Sequence, residues 1–124
     1  MNIKRINRIS EEVRKIVSDL IINGLKDPRI SPMASVTRVE VTRDLSYARI
    51  YISVLGDEIE KKDTIEGLNS AKGFIRKEIG NRMDLRYAPE PIFHLDESIE
   101  KAISLSKLID EVNKDNKGSQ DEKQ

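Results

Sequence analysis

The 124-residue chain sets 22 lysines and arginines against 22 aspartates and glutamates, so it carries no net charge and is no general polyanion binder. It has no cysteine and one histidine, His94, which excludes disulfides, thiol chemistry and any metal site that needs several histidines. No stretch approaches the ~20 apolar residues of a membrane span. The opening residues interleave charge with isoleucine and valine, unlike a signal peptide, so a cytoplasmic, membrane-free setting is expected.

Apolar residues at Ile6, Ile9, Val13, Ile16, Val17, Leu20 and Ile21 advance in threes and fours, predicting an amphipathic helix from about Ile3 to Leu25. Asp27-Pro28 ends it, because the residue before proline is pushed out of the helical region. The period then falls to two. Thr37, Val39 and Val41 alternate with polar neighbours, as do Ala48, Ile50, Ile52 and Val54, and Arg43-Asp44-Leu45-Ser46 separates the two runs as the turn of a hairpin.

After Gly56 a second helical stripe runs Ile65, Leu68, Ala71, Ile75, Ile79, Met83, and it continues across Gly73 as one bent helix or two abutting ones. A glycine inside a helix costs roughly 0.5–1 kcal/mol relative to alanine, so Gly73 needs a reason. Either something packs closely against it, or a bend there lets a phosphate reach the backbone. Ile92–Leu95, behind Pro89 and Pro91, suits a third strand, and proline confines its beginning to an edge or a strand start. Asp96 suits the N-cap of a last helix with Ile99, Ala102, Ile103 and Leu108 on one side. From Asn113 the run NKDNKGSQDEKQ has nothing to bury. The expected organisation is one domain over 1–112 and a disordered charged tail over 113–124. Helices layered on one face of a three-stranded sheet would bury every stripe at once, which is an α+β fold.

The charge is unevenly placed. Lys4, Arg5, Arg8, Arg14 and Lys15 open the first helix, while Lys72, Arg76, Lys77, Arg82 and Arg86 gather around and after Gly73. Acidic residues collect in the last helix and tail. Most such runs are solvated helix faces, but cations beside a break in a helix also suit phosphate, because free backbone N–H groups point there. Enzyme chemistry has little to use: His94 is expected to face solvent on the third strand, and no glycine-rich phosphate loop follows a strand. The outward strand positions Arg38, Arg49 and Tyr51 read as surface, since aromatic residues are too few to suggest a stacking platform.

Four segments, in order, resemble the ribosome-binding factor A family. They are Lys26-Asp27-Pro28-Arg29-Ile30, VTRVEVTRDLSYARIYISVLG (Val36 to Gly56), Ala71-Lys72-Gly73-Phe74-Ile75-Arg76, and LRYAPEPIFHLDESIE (Leu85 to Glu100). The resemblance implies a type II KH-like fold, helix–strand–strand–kinked helix–strand plus a C-terminal helix. In such a fold an Ala-x-Gly kink, here Ala71 to Gly73, replaces the GxxG loop that clamps nucleic-acid backbone. It further implies an assembly factor without catalytic activity, cofactor or metal, a monomer when free. Such a factor binds the free 30S subunit and 16S rRNA and assists processing of the 5′ end of the precursor, notably in the cold. The RNA contacts expected on this basis are Lys72, Gly73, Arg76 and Lys77, then Lys4, Arg5 and Arg8, then Arg82 and Arg86. The alternative is a KH-like protein–protein module that does not touch RNA. Where Pro91 stands the family pattern suggests an apolar residue such as leucine, so the start of the third strand is expected to be distorted.

Overall fold

The computed structural model describes residues 2–123, with side chains through residue 113. Helix α1 (Ile3–Asp19) begins at Asn2, whose side chain accepts the Lys4 N–H at 2.8 Å. Its stripe is buried as expected. The helix continues through a π-helical stretch, Leu20–Gly24, closed by the Leu25 N–H on the Leu20 carbonyl at 2.8 Å.

Strands β1 (Ala34–Val41) and β2 (Tyr47–Val54) pair antiparallel, and β3 (Glu90–Leu95) pairs parallel to β2, giving the sheet order β1-β2-β3. The central strand supplies Ala48, Ile50 and Ile52, all without solvent exposure. In β1 the register slips between Val36 and Arg38, so Thr37 is an extra, bulged residue. This corrects the simple alternation. Val36, not Thr37, joins Val39 and Val41 against the core. The Thr37 hydroxyl instead donates to the Asp96 carboxylate at 2.6 Å, tying β1 to the end of β3.

Asp96 also accepts the Ser98 N–H, and these two donors, Thr37 first, hold its pKa at about 2. The stabilisation is present above the ordinary carboxyl range and is lost as pH falls toward that value. Pro91 is fully buried and the strand start is regular, which overturns the expected distortion. Glu90 donates its N–H to the carbonyl of Ser46, just before β2, and Asp96 donates to that of Ile52 within β2. Pro91, one residue out of phase with them, turns its hydrogen-free nitrogen away from β2.

The second stripe forms two abutting helices. Helix α2 (Glu58–Ser70) starts in a capping box between Asp57 and Glu60, and α3 (Lys72–Met83) follows after Ala71, whose φ of −89° and ψ of 3° break the helix. Leu68, Ile75 and Ile79 are completely buried beneath them. The loop after α1 lies tightly on α2: Ser31 donates its N–H to the Thr64 hydroxyl at 3.1 Å. A Cβ added at Gly67 would stand 2.8 Å from Ile30 Cγ1. Gly67→Ala is therefore expected to destabilise the fold by about 1 kcal/mol in urea unfolding, overpacking outweighing the gain in helix propensity.

Helix α4 (Ser98–Lys123) departs from expectation. Its stripe is not buried: Ile99, Ile103, Leu108 and Ile109 are each about half exposed. The core under α1, α2 and α3 closes without it. Its first turn is held by the buried Lys61, whose ammonium lies 2.6 Å from Glu100 and 3.7 Å from Glu97. The Glu100 hydrogen bond chiefly raises the lysine pKa. Residues 113–123, expected as part of a disordered tail, continue the backbone of α4, while side chains from 114 onward lie outside the described residues. No helix among the described residues is long and apolar enough to cross a membrane.

Candidate nucleic-acid interface

The junction of α2 and α3 falls within the expected Ala71 to Gly73 kink, at its first residue. The break falls at Ala71, and Gly73 is the second residue of α3. Ala71 provides no side-chain cap, and the first N–H groups of any helix have no acceptor within it. The start of α3 is thus a positive dipole end. Gly73 is exposed, its φ is not positive, and a Cβ built there would meet, among the described residues beyond its own helix turn, no atom within 4 Å. Close internal packing, the plainer of the two explanations for this glycine, is therefore excluded. So is a left-handed backbone.

Beside Gly73 lies a shallow concavity of about 360 Å³, bordered by Arg76, Lys77, Gly80, Arg86 and Tyr87. Arg76 donates its Nε–H to the Ala88 carbonyl at 3.0 Å, which pins α3 against the approach to β3 while the side chain stays exposed. The Arg86 guanidinium lies 5.5 Å from the Tyr87 ring centre. A second cleft, of about 590 Å³, shares Arg76, Arg86 and Tyr87 and reaches Tyr47 at the start of β2.

The structure thus joins Gly73, Arg76, Lys77 and Arg86 around one hollow, with Lys72 half-buried next to it. Arg82 is otherwise engaged. It bridges Asp19 of α1 at 2.7 Å and Glu78 at 3.2 Å, contacts that raise its pKa, Asp19 first. Its role is to clamp α3 to α1. Lys4, Arg5 and Arg8 are exposed on the first turns of α1 and do not line the hollow. Sequence reasoning missed Tyr47 and Tyr87, exposed aromatics next to these cations. The adjacent pair Arg86-Tyr87 was the available signal. His94 faces solvent as expected, but it is not isolated: its ring stacks on Tyr51, with centroids 5.2 Å apart and planes 26° from parallel. Arg38 lies 4.2 Å from the Tyr51 ring centre.

Comparison with known proteins places this geometry in a family. The family model for ribosome-binding factor A matches residues 5–109. Ribosome-binding factor A of Acetivibrio thermocellus is 56% identical over 118 residues, 95% of this chain and 96% of that protein. That of Finegoldia magna is 52% identical over 117 residues, 94% and 97% of the two chains. The crystal structure of ribosome-binding factor A from Thermus thermophilus shares the fold, with a TM-score of 0.66 over 75% of this chain and 97% of that one, at 18% identity. A homology model of the Thermus thermophilus factor, fitted into a cryo-EM map of a complex with the 30S subunit, matches with a TM-score of 0.59 at 19% identity, over 71% of this chain and 91% of that one. On a family match spanning most of its length, and on relatives more than half identical to it, the chain belongs to the ribosome-binding factor A family.

Proposed function

We propose that the protein is a non-enzymatic ribosome assembly factor that docks the α2–α3 junction onto 16S rRNA of the free 30S subunit. The observation that carries this reading is the bareness of Gly73, which nothing among the described residues requires and which lies beside Arg76, Lys77 and Arg86. A helix start without a side chain at its second residue lets a phosphate come up to the backbone, and the neighbouring cations neutralise it. This is the role a GxxG loop has in KH domains, taken here by Ala71-Lys72-Gly73. The Thermus thermophilus relative fitted into a 30S complex supports the choice of partner.

Holding one rRNA conformer by binding energy needs no catalytic group, cofactor or metal. Such an action suits late 30S maturation and processing of the precursor 5′ end, most of all in the cold, when RNA rearranges slowly. A cytoplasmic monomer fits this role. Gly73→Ala separates function from fold. The backbone is already helical and the space open, so the variant should be more stable by roughly 0.5–1 kcal/mol in urea unfolding. Its affinity for free 30S subunits should nevertheless fall about tenfold, since one obstructed phosphate contact costs on the order of 1 kcal/mol or more. A variant that binds as tightly as the parent would refute the backbone contact. The exposed apolar stripe of α4 favours a second reading, docking to protein alone, and salt-insensitive binding without rRNA would support it.

A further inference from the structure

The sheet has a second face, turned away from α1, α2 and α3, and its middle row is unusual. Arg38 of β1, Tyr51 of β2 and His94 of β3 are direct cross-strand neighbours. They stand as three planar groups in contact, guanidinium on phenol and phenol on imidazole. Two residues along each strand, on the same face, Arg49 lies between Glu40 and Ile92. Glu40 is taken by Arg38, 3.3 Å away, and among the described residues Arg49 has no carboxylate partner. A cleft of about 570 Å³ opens beside the row, walled by the first turn of α4. Its carboxylates are occupied, Asp96 by Thr37 and Ser98 and Glu97 by Lys61, whereas Lys101 on its rim makes no ion pair among the described residues. The face therefore combines exposed π surface with uncommitted positive charge. A nucleotide unit, a flat base joined to a phosphate, is complementary to both.

We propose that this outer sheet face is a second RNA contact, independent of the α2–α3 junction, which takes one unpaired nucleotide. The base continues the Arg38–Tyr51–His94 stack on the exposed imidazole of His94, and the adjoining phosphate meets Arg49. A duplex cannot use it, because its bases are already stacked on one another. With the junction on the helical side and this row on the other, the factor grips RNA from two directions, one hold reading backbone and the other requiring a free base.

The test uses the Lys72→Ala, Arg76→Ala, Lys77→Ala variant, so that loss of the junction does not mask the second face. An eight-nucleotide oligoadenylate is titrated into this variant and into the parent, with a duplex of equal length for comparison. The His94 ring protons should move upfield in both proteins with the single strand only, the ring-current mark of a base lying over the imidazole. In the triple variant, adding His94→Ala should weaken oligoadenylate binding five- to tenfold, and adding Arg49→Ala should lower its salt dependence. His94 is exposed, so an unchanged circular dichroism spectrum is expected to accompany the loss. Ring protons that stay still at saturation would overturn the proposal. So would equal shifts with the duplex, or a face that responds only to small-subunit proteins. Loss of oligoadenylate binding in the triple variant, with His94 shifts present in the parent, would overturn its independence from the junction. Unaltered 30S binding in the triple variant, with the His94 shifts retained, would refute the junction and leave this face standing.

Discussion

Replacing Lys72, Arg76 and Lys77 together by alanine is expected to weaken binding to free 30S subunits by about a hundredfold near physiological salt. Each cation that neutralises an RNA phosphate contributes roughly 0.7–0.9 to the slope of log affinity against log salt, because it releases a condensed counterion. Three such contacts amount to a slope change of roughly 2–3, which near physiological ionic strength corresponds to about two decades in affinity. Fluorescence anisotropy of labelled protein with purified subunits, over a salt series, measures both quantities. The fold should survive. Lys72 and Lys77 make no ion pair among the described residues, and Arg76 gives up one hydrogen bond to Ala88, worth about 1 kcal/mol. A slope equal to that of the parent would remove these side chains from the interface. Arg82→Ala provides the contrast: its partners are Asp19 and Glu78, so its loss should register in stability before binding.

Truncating Ile50 to alanine should have the largest effect on the fold, about 2–5 kcal/mol. Ile50 has no solvent exposure at the middle of the central strand, opposite Val39 on one side and Phe93 on the other. The whole stability of a domain this size is about 5–15 kcal/mol, so the melting temperature should fall by roughly 10 °C or more. Urea unfolding checks it, and a loss below about 1 kcal/mol would contradict the central position of β2.

Much of this architecture was legible in the chain because burial writes itself as period. The steps from Ile6 to Ile21 located α1, and the alternation from Ala48 to Val54 located β2, whose inward residues are among the most deeply buried. What periodicity could not carry were irregularities. The bulge at Thr37 shifts one residue without altering composition, so it reads as an ordinary strand until the pairing is seen. The α4 stripe looked like a buried face because amphipathic spacing states only that a helix has an apolar side, not that its own chain covers that side. At the candidate site, the cations and the glycine were visible in the sequence. The kink was expected over Ala71 to Gly73, but residue types alone could not show that it falls at Ala71 and not at the glycine, since alanine is an ordinary helix residue. Nor could sequence show that Arg82 is spent on Asp19, a residue 63 positions away, or that Tyr51 and His94 would meet across two strands.

The nitrogen of Pro91 that points away from β2 has a consequence for how these molecules treat one another. An outermost strand normally offers a row of donors and acceptors to any extended chain it encounters, which is how sheets recruit foreign strands and grow into aggregates. On one border of this sheet that row is missing a donor, and on the other the extra residue at Thr37 throws the spacing out of step. Neither border offers an unbroken template, so crowding these molecules together should not lead to polymerisation through their sheets.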